Sequence, residues 1–234
     1  DSHGGLAGMA GRGVAGPRSL IVSACDPASS VAAGLDARGL AVQHLDDDSI
    51  EWTDATVDQH AAPGGIDLVV HARYPAASRR KADLVSLSAV DWHAAADEPL
   101  EAAIRLARGA HPRLAEAGGT IVFLVPLMAS AGGEGFAPLA TAAEGSRLLA
   151  KSLAKTWGGD GIRAHALTLD PSAFLDADDA AGLAEANALH DPPLGHVPDL
   201  SSEITPIVDA LTTGDLAALT GASLVADGGL WMPG

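Results

Sequence analysis

Four short apolar runs, separated by stretches of helical character, constrain the fold of this chain more than any other feature. They are Ser19-Leu-Ile-Val-Ser-Ala24, Ile66-Asp-Leu-Val-Val-His71, Gly118-Gly-Thr-Ile-Val-Phe-Leu-Val125 and Gly161-Ile-Arg-Ala-His-Ala-Leu167. Each is too short for a buried helix and carries β-branched residues, which is the pattern of a strand covered on both faces. Leu40-Ala-Val-Gln-His-Leu45 adds a strand near the start, and Gly221 to Gly229 a last strand with its turn. Between them, Pro27 to Arg38 is expected to be helical, with Asp26 placed to cap it and Pro27 at its first position. Ser88 is expected to cap a helix opening Ala89-Val-Asp-Trp92, with a long amphipathic helix from Pro99 to about Glu116. Further helices are expected at Phe136 to Trp157 and at Glu203 to Leu211.

Strands alternating with helices imply a parallel sheet with helices on both faces. The right-handed crossover rule makes it a single-domain, doubly wound, Rossmann-like α/β fold. Residues 1–17, with six glycines, are expected to be a flexible tail, and residues 18–234 the domain. The segment Asp170 to Asp199 shows no steady period and is expected to be loop.

Composition narrows the function. Hydrophobic residues at 47% and charged residues at 19% argue against disorder. A net charge of −16 repels phosphate backbones and anionic lipid, so neither nucleic acid nor a membrane surface is an expected partner. One cysteine, Cys25, cannot form an internal disulfide, which fits a reducing cytoplasm. No apolar run reaches the roughly 18 residues of a membrane span.

Gly158-Gly-Asp-Gly-Ile-Arg-Ala-His165, Leu219-Thr-Gly-Ala-Ser-Leu-Val-Ala-Asp-Gly-Gly229 and Asp91-Trp92, in that spacing, resemble segments of the short-chain dehydrogenase/reductase family. That resemblance covers most of the chain after residue 17. It implies a sheet with a dinucleotide at its carboxyl edge and a tyrosine and lysine, Tyr-x-x-x-Lys, opening the catalytic helix. Here the matching positions are Ala140 and Glu144. Alanine has no proton to give, and a carboxylate would raise a neighbouring phenol's pKa.

The other family positions depart in the same way. The family serine falls at Leu127, with Ser130 three residues out of frame, and the active-site asparagine falls at Pro99. The glycines that let backbone amides approach a pyrophosphate become Ala24, Ala28 and Ser30, while Asp26 stands where a phosphate would arrive. Arg73 replaces a glycine after the third strand, either as an anion site or as a paired structural arginine. The Pro-Gly beside the nicotinamide becomes Leu169-Asp170. The roughly 20 residues between the second and third strands are too few for the helix, strand and helix the family places there. Asp46-Asp-Asp48, otherwise a solvated turn, would oppose a 2′-phosphate.

The expectation is a member with neither catalytic residues nor bound cofactor, NAD and NADP included, and without a metal. It acts as a subunit in a homo-oligomer, or in a hetero-oligomer with an active paralogue, built on Leu100–Glu116, Leu139–Trp157 and the last strand. Leu148, Leu149 and Leu153 supply an apolar stripe on the second helix. Two alternatives are an active oxidoreductase with a rearranged site, and a small-ligand protein using the vacated cleft through His71, Arg73 and Glu144. His190 and His196, near Asp176, Asp178 and Asp179, lack the spacing of a metal site and are expected to be solvated.

Overall fold

The computed structural model describes residues 18–23, 26–46, 66–187, 189 and 191–232. In chain order these form β1 (Arg18–Ser23), α1 (Asp26–Ala37), β2 (Ala41–Asp46), β3 (Leu68–Ala72) and α2 (Ala89–Trp92). A π turn, His93–Asp97, leads into α3 (Glu98–Ala117). Then come β4 (Thr120–Pro126), α4 (Met128–Ala131), α5 (Ala137–Trp157) and β5 (Arg163–Leu169). The chain closes with α6 (Ala177–Ala186), α7 (Thr205–Ala210) and β6 (Ser223–Val225).

The six strands form one sheet in the order β2-β1-β3-β4-β5-β6, every pair parallel. Leu68 to Ala72 and Thr120 to Pro126 are buried throughout, as strands covered on two faces must be. The strand order reverses between β1 and β3, the place where open α/β sheets bind ligands beyond their carboxyl ends. Helices α3 and α5 pack together over the middle of the sheet, and α1 packs with α7 and a π turn at Leu200–Ile204. The fold class expected from the sequence is the one observed.

Several elements differ in detail. The helix at Ala177–Ala186 lies inside the segment expected to be loop. Its start is fixed by Asp176, whose carboxylate accepts the Asp179 amide at 2.9 Å, and its alanines suit a helix better than their weak period suggests. The helix expected from Ala89 and the one expected from Pro99 run together: the π turn carries the chain into α3, where Pro99 sits in the first turn and needs no amide donor. The last strand is only three residues long. The 1–17 tail, and the shortened connection at 47–65 with Asp47 and Asp48, lie outside the described residues. Among the described residues β2 is the outer strand on that side.

The small residues of α5 serve contacts within the chain. A Cβ at Gly145 would come within 2.8 Å of the Leu100 side chain on α3, so this glycine sets how closely the two helices lie.

Candidate functional site

The carboxyl ends of β1, β3, β4, β5 and β6 share one edge, so every residue that follows them is a candidate for ligand contact. After β1, helix α1 begins at Asp26, and Pro27 and Ala28 are buried at once. Ala28 lies inside the apolar core, and Ser30 is half-buried, its carbonyl accepting the Ser201 hydroxyl at 3.3 Å. Ala24 and the Asp26 side chain lie outside the described residues.

At the end of β3 the chain places two polar rings, His71 and Tyr74, and one cation, Arg73, in the interior. Arg73 is 4% exposed and pairs with Glu98, at the start of α3, at 3.4 Å. The paired structural role therefore describes it. His71 is 1% exposed, and neither ring nitrogen has a hydrogen-bond partner. Its ring lies against Phe123, centroids 5.7 Å apart, and edge-on to Tyr74 at 6.3 Å. Burial, and secondarily the Arg73 charge, lower its pKa to about 3, so it is neutral at pH 7. Tyr74, the one tyrosine of the chain, is fully buried, and its hydroxyl donates to the Leu124 carbonyl at 3.4 Å.

The positions matched to the family's catalytic groups sit in or against this core. Leu127 is 1% exposed, and its amide donates to the Leu169 carbonyl at 2.9 Å. Pro99 is buried, and Ala140 packs against the core. Moving the frame by one residue reaches Leu139 and Ala143, both fully buried, so no proton donor appears in either frame. A single apolar cluster takes in Tyr74, Met128, Phe136, Leu139, Phe174 and Leu183. Helix α6 is tied over it, with the Asn187 side-chain amide donating to the Gly132 carbonyl at 3.2 Å. Ser130 is exposed outside the cluster.

Glu144, offered as a polar point of a vacated cleft, is engaged by its own helix instead. Its carboxylate accepts both Arg147 Nε at 2.6 Å and Arg147 Nη2 at 2.5 Å, and Arg147 Nη1 donates to the Ser223 hydroxyl on β6 at 3.1 Å. The hydrogen bond to Glu144 raises the Arg147 pKa further. His71, Arg73 and Glu144, expected to share a vacated cleft, are thus two interior side chains and one half-buried ion pair.

The cleft that is present lies elsewhere on the same edge. A cavity of about 290 Å³ opens beyond β5 and β6 between Leu169, Asp170, Ser172, Val197, Asp199 and Ala226. Leu169 and Asp170 are the positions matched to the nicotinamide-contacting pair. The opposite wall escaped the sequence reading, although Asp199 followed by Ser201, Ser202 and Glu203 is a capping pattern that marks an ordered turn. Asp199 accepts the amides of Ser201 and Ser202 at 3.1 and 2.7 Å. A broader depression of about 420 Å³ lies between Lys81, Glu134 and Ala137. His196 pairs with Glu203 at 2.9 Å, and His190 is outside the described residues. Among the described residues no group of His, Cys, Asp and Glu is arranged to hold a metal ion. No helix described is long and apolar enough to cross a membrane.

Comparison with known proteins agrees with this architecture. The family model described as enoyl-(acyl carrier protein) reductase matches residues 21–231. The TT0495 protein of Thermus thermophilus superposes with a TM-score of 0.73 at 23% identity, covering 91% of this chain and 98% of its own. A gluconate 5-dehydrogenase of Burkholderia cenocepacia, solved with NADP and tartrate, superposes with a TM-score of 0.70 at 19% identity, covering 92% of this chain and 95% of its own. Among curated proteins no relative matches the sequence.

Proposed function

This chain belongs to the short-chain dehydrogenase/reductase family, and we propose that within it the protein is a non-catalytic subunit of an oligomeric assembly. The observation that carries the reading is the fate of the catalytic positions. Leu127, Leu139 and Ala143 are core residues, Ala140 packs against them, and Glu144 is neutralised by Arg147. The only tyrosine is buried elsewhere with its hydroxyl engaged. General acid–base chemistry on a carbonyl needs a group within hydrogen-bond reach of the substrate, and these positions offer none. Arg73 and Pro27, in place of glycine and an amide donor, further oppose a dinucleotide.

Assembly is supported by what the long helices leave uncovered. Ile104 on α3 is 46% exposed and Leu148 on α5 is 49% exposed, while Leu153 turns into the core and Leu149 is half-buried. Val225 on the outer strand β6 is exposed as well. These are the surfaces of the expected oligomer, whether with copies of this chain or with an active paralogue. Co-expression with catalytically intact family members, followed by co-purification and light scattering, tests it. A chain that remains monomeric under every pairing ends the subunit reading.

A second reading keeps the chemistry. The Burkholderia structure holds NADP on the same fold, which favours an oxidoreductase with a rearranged site. Titration with NADH and NADPH separates the two: saturable binding and turnover on a carbonyl panel by the purified chain would promote it.

A further inference from the structure

We propose that the cleft beyond β5 and β6 binds a small primary amine carrying a short apolar body. The inference rests on the reading that this edge does not seat a dinucleotide. Asp170 is the anchor. The residue is only 9% exposed, and its Oδ1 accepts the Ser172 amide at 2.8 Å and the Ser172 hydroxyl at 2.5 Å. These two bonds fix the carboxylate. Its other oxygen, Oδ2, receives no donor among the described residues, and Asp170 lines the cavity. That oxygen is left to a donor from outside the protein, water or a ligand's ammonium, and the charge-assisted hydrogen bond from an ammonium is the stronger of the two.

The remaining lining selects the ligand's charge and shape. Asp199, exposed to solvent, also lines the cavity, and its hydrogen bonds from Ser202 and Ser201 hold its carboxyl below the usual range. Among the described residues no lysine, arginine or histidine lines the cavity. An anion would meet two carboxylates without compensation, in a protein of net charge −16. Between the carboxylates the surface is Leu169, Val197, Leu200 and Ile204, which suits a hydrocarbon body. At about 30 Å³ for each water-sized group, the cavity of about 290 Å³ holds about ten non-hydrogen atoms.

The walls are built before any ligand arrives. The Leu194 amide donates to the Gly228 carbonyl at 3.0 Å, and a Cβ at Gly228, where φ is +71°, would lie 3.0 Å from Pro192. Glu203 accepts the Asp199 amide at 2.8 Å while pairing with His196. The strap that carries Val197 and Asp199 is therefore fastened at both ends, which lowers the ordering cost of binding.

Calorimetric titration of the whole chain with phenethylamine, 2-phenylethanol and phenylacetate, probes of nearly one size and three charges, tests the proposal. Only the amine is expected to saturate, with affinity falling severalfold between about 20 mM and about 300 mM NaCl as screening rises. Asp170→Asn keeps Oδ1 to accept from Ser172 and is expected to lose about tenfold or more in amine affinity, the order of one charge-assisted hydrogen bond. If that variant fails to fold, Ala226→Leu fills the cavity and is expected to abolish binding. Equal binding of the alcohol, an unchanged affinity in Asp170→Asn, or no saturation by about 10 mM amine would overturn the proposal. NADPH binding that leaves the amine titration intact would overturn the non-catalytic reading alone, whereas NADPH that displaces the amine would overturn both.

Discussion

Arg147 grips Glu144 through two charge-assisted hydrogen bonds one helical turn apart, and its third contact reaches Ser223 on β6. The residue standing where the family has its lysine is thus bound to the position three further along α5, and through it to the edge strand. Replacing Ala140 by Tyr and Glu144 by Lys together is expected to yield no reductase activity. It would set two cations at i and i+3 on a half-buried face. The double variant is expected to lose about 1–2 kcal/mol of stability, read by urea unfolding. Turnover above background in a carbonyl assay would contradict this.

Arg73 gives the cofactor prediction. Neither NAD nor NADP is expected to bind with a Kd below about 100 µM, about 5.5 kcal/mol, in the unmodified chain. Arg73→Gly, which restores the family residue, is expected to leave cofactor affinity unmeasurable. It is also expected to destabilise the protein by about 2–4 kcal/mol, because the buried stem and its pairing with Glu98 are lost together. Calorimetry and thermal unfolding read the two effects independently.

Acid sensitivity follows from the interior histidines. His71 titrates at about 3 in the folded chain against 6.5 when free, and His165 at about 4 against 6.5, both chiefly through burial. Between these values the unfolded chain binds more protons than the folded one, so stability rises with pH. It is complete above pH 6.5 and is lost progressively as pH falls towards the folded values, by up to about 1.4 kcal/mol per pH unit for each histidine. His71→Phe is expected to flatten the dependence between pH 4 and 6, measured by the urea midpoint as a function of pH. An unchanged slope would exclude His71 as its source.

Helix surfaces give the assembly prediction. Ile104→Glu and Leu148→Glu, at exposed positions of α3 and α5, are expected to leave the fold intact and to shift an oligomer towards monomer in light scattering. If both variants assemble as the unmodified chain does, the two helices are not the interface.

The sheet was readable because its strands obey a physical constraint that shows in composition. Leu68 to Ala72 and Thr120 to Pro126 have no water on either side and so must be apolar throughout. The helix at Ala177–Ala186 was missed because its alanines carry little period, and only the cap at Asp176 marks it. The site was harder. Residues 169–173 and 197–204 are far apart in sequence and each looks like an ordinary turn, and their carboxylates face one cavity only after β5 and the strap are placed. Glu144 is the opposite case: its partner Arg147 lies three residues on along the same helix, a spacing at which side chains meet, so the pairing was legible in the sequence.

The apolar cluster over α4 and α5 also bears on how reversible such a history is. Leu127 and Leu139 are packed as tightly as any residue in the sheet. Cutting each back to a small polar side chain would cost about 2–5 kcal/mol, against a total stability of about 5–15 kcal/mol for a domain of ordinary size. Two such steps would remove about 4–10 kcal/mol, comparable to the lower half of that range. On the reading proposed above, the cluster therefore acts as an evolutionary ratchet: drift can refine what fills this space, while each step that opens it for a polar group removes a large part of the domain's stability.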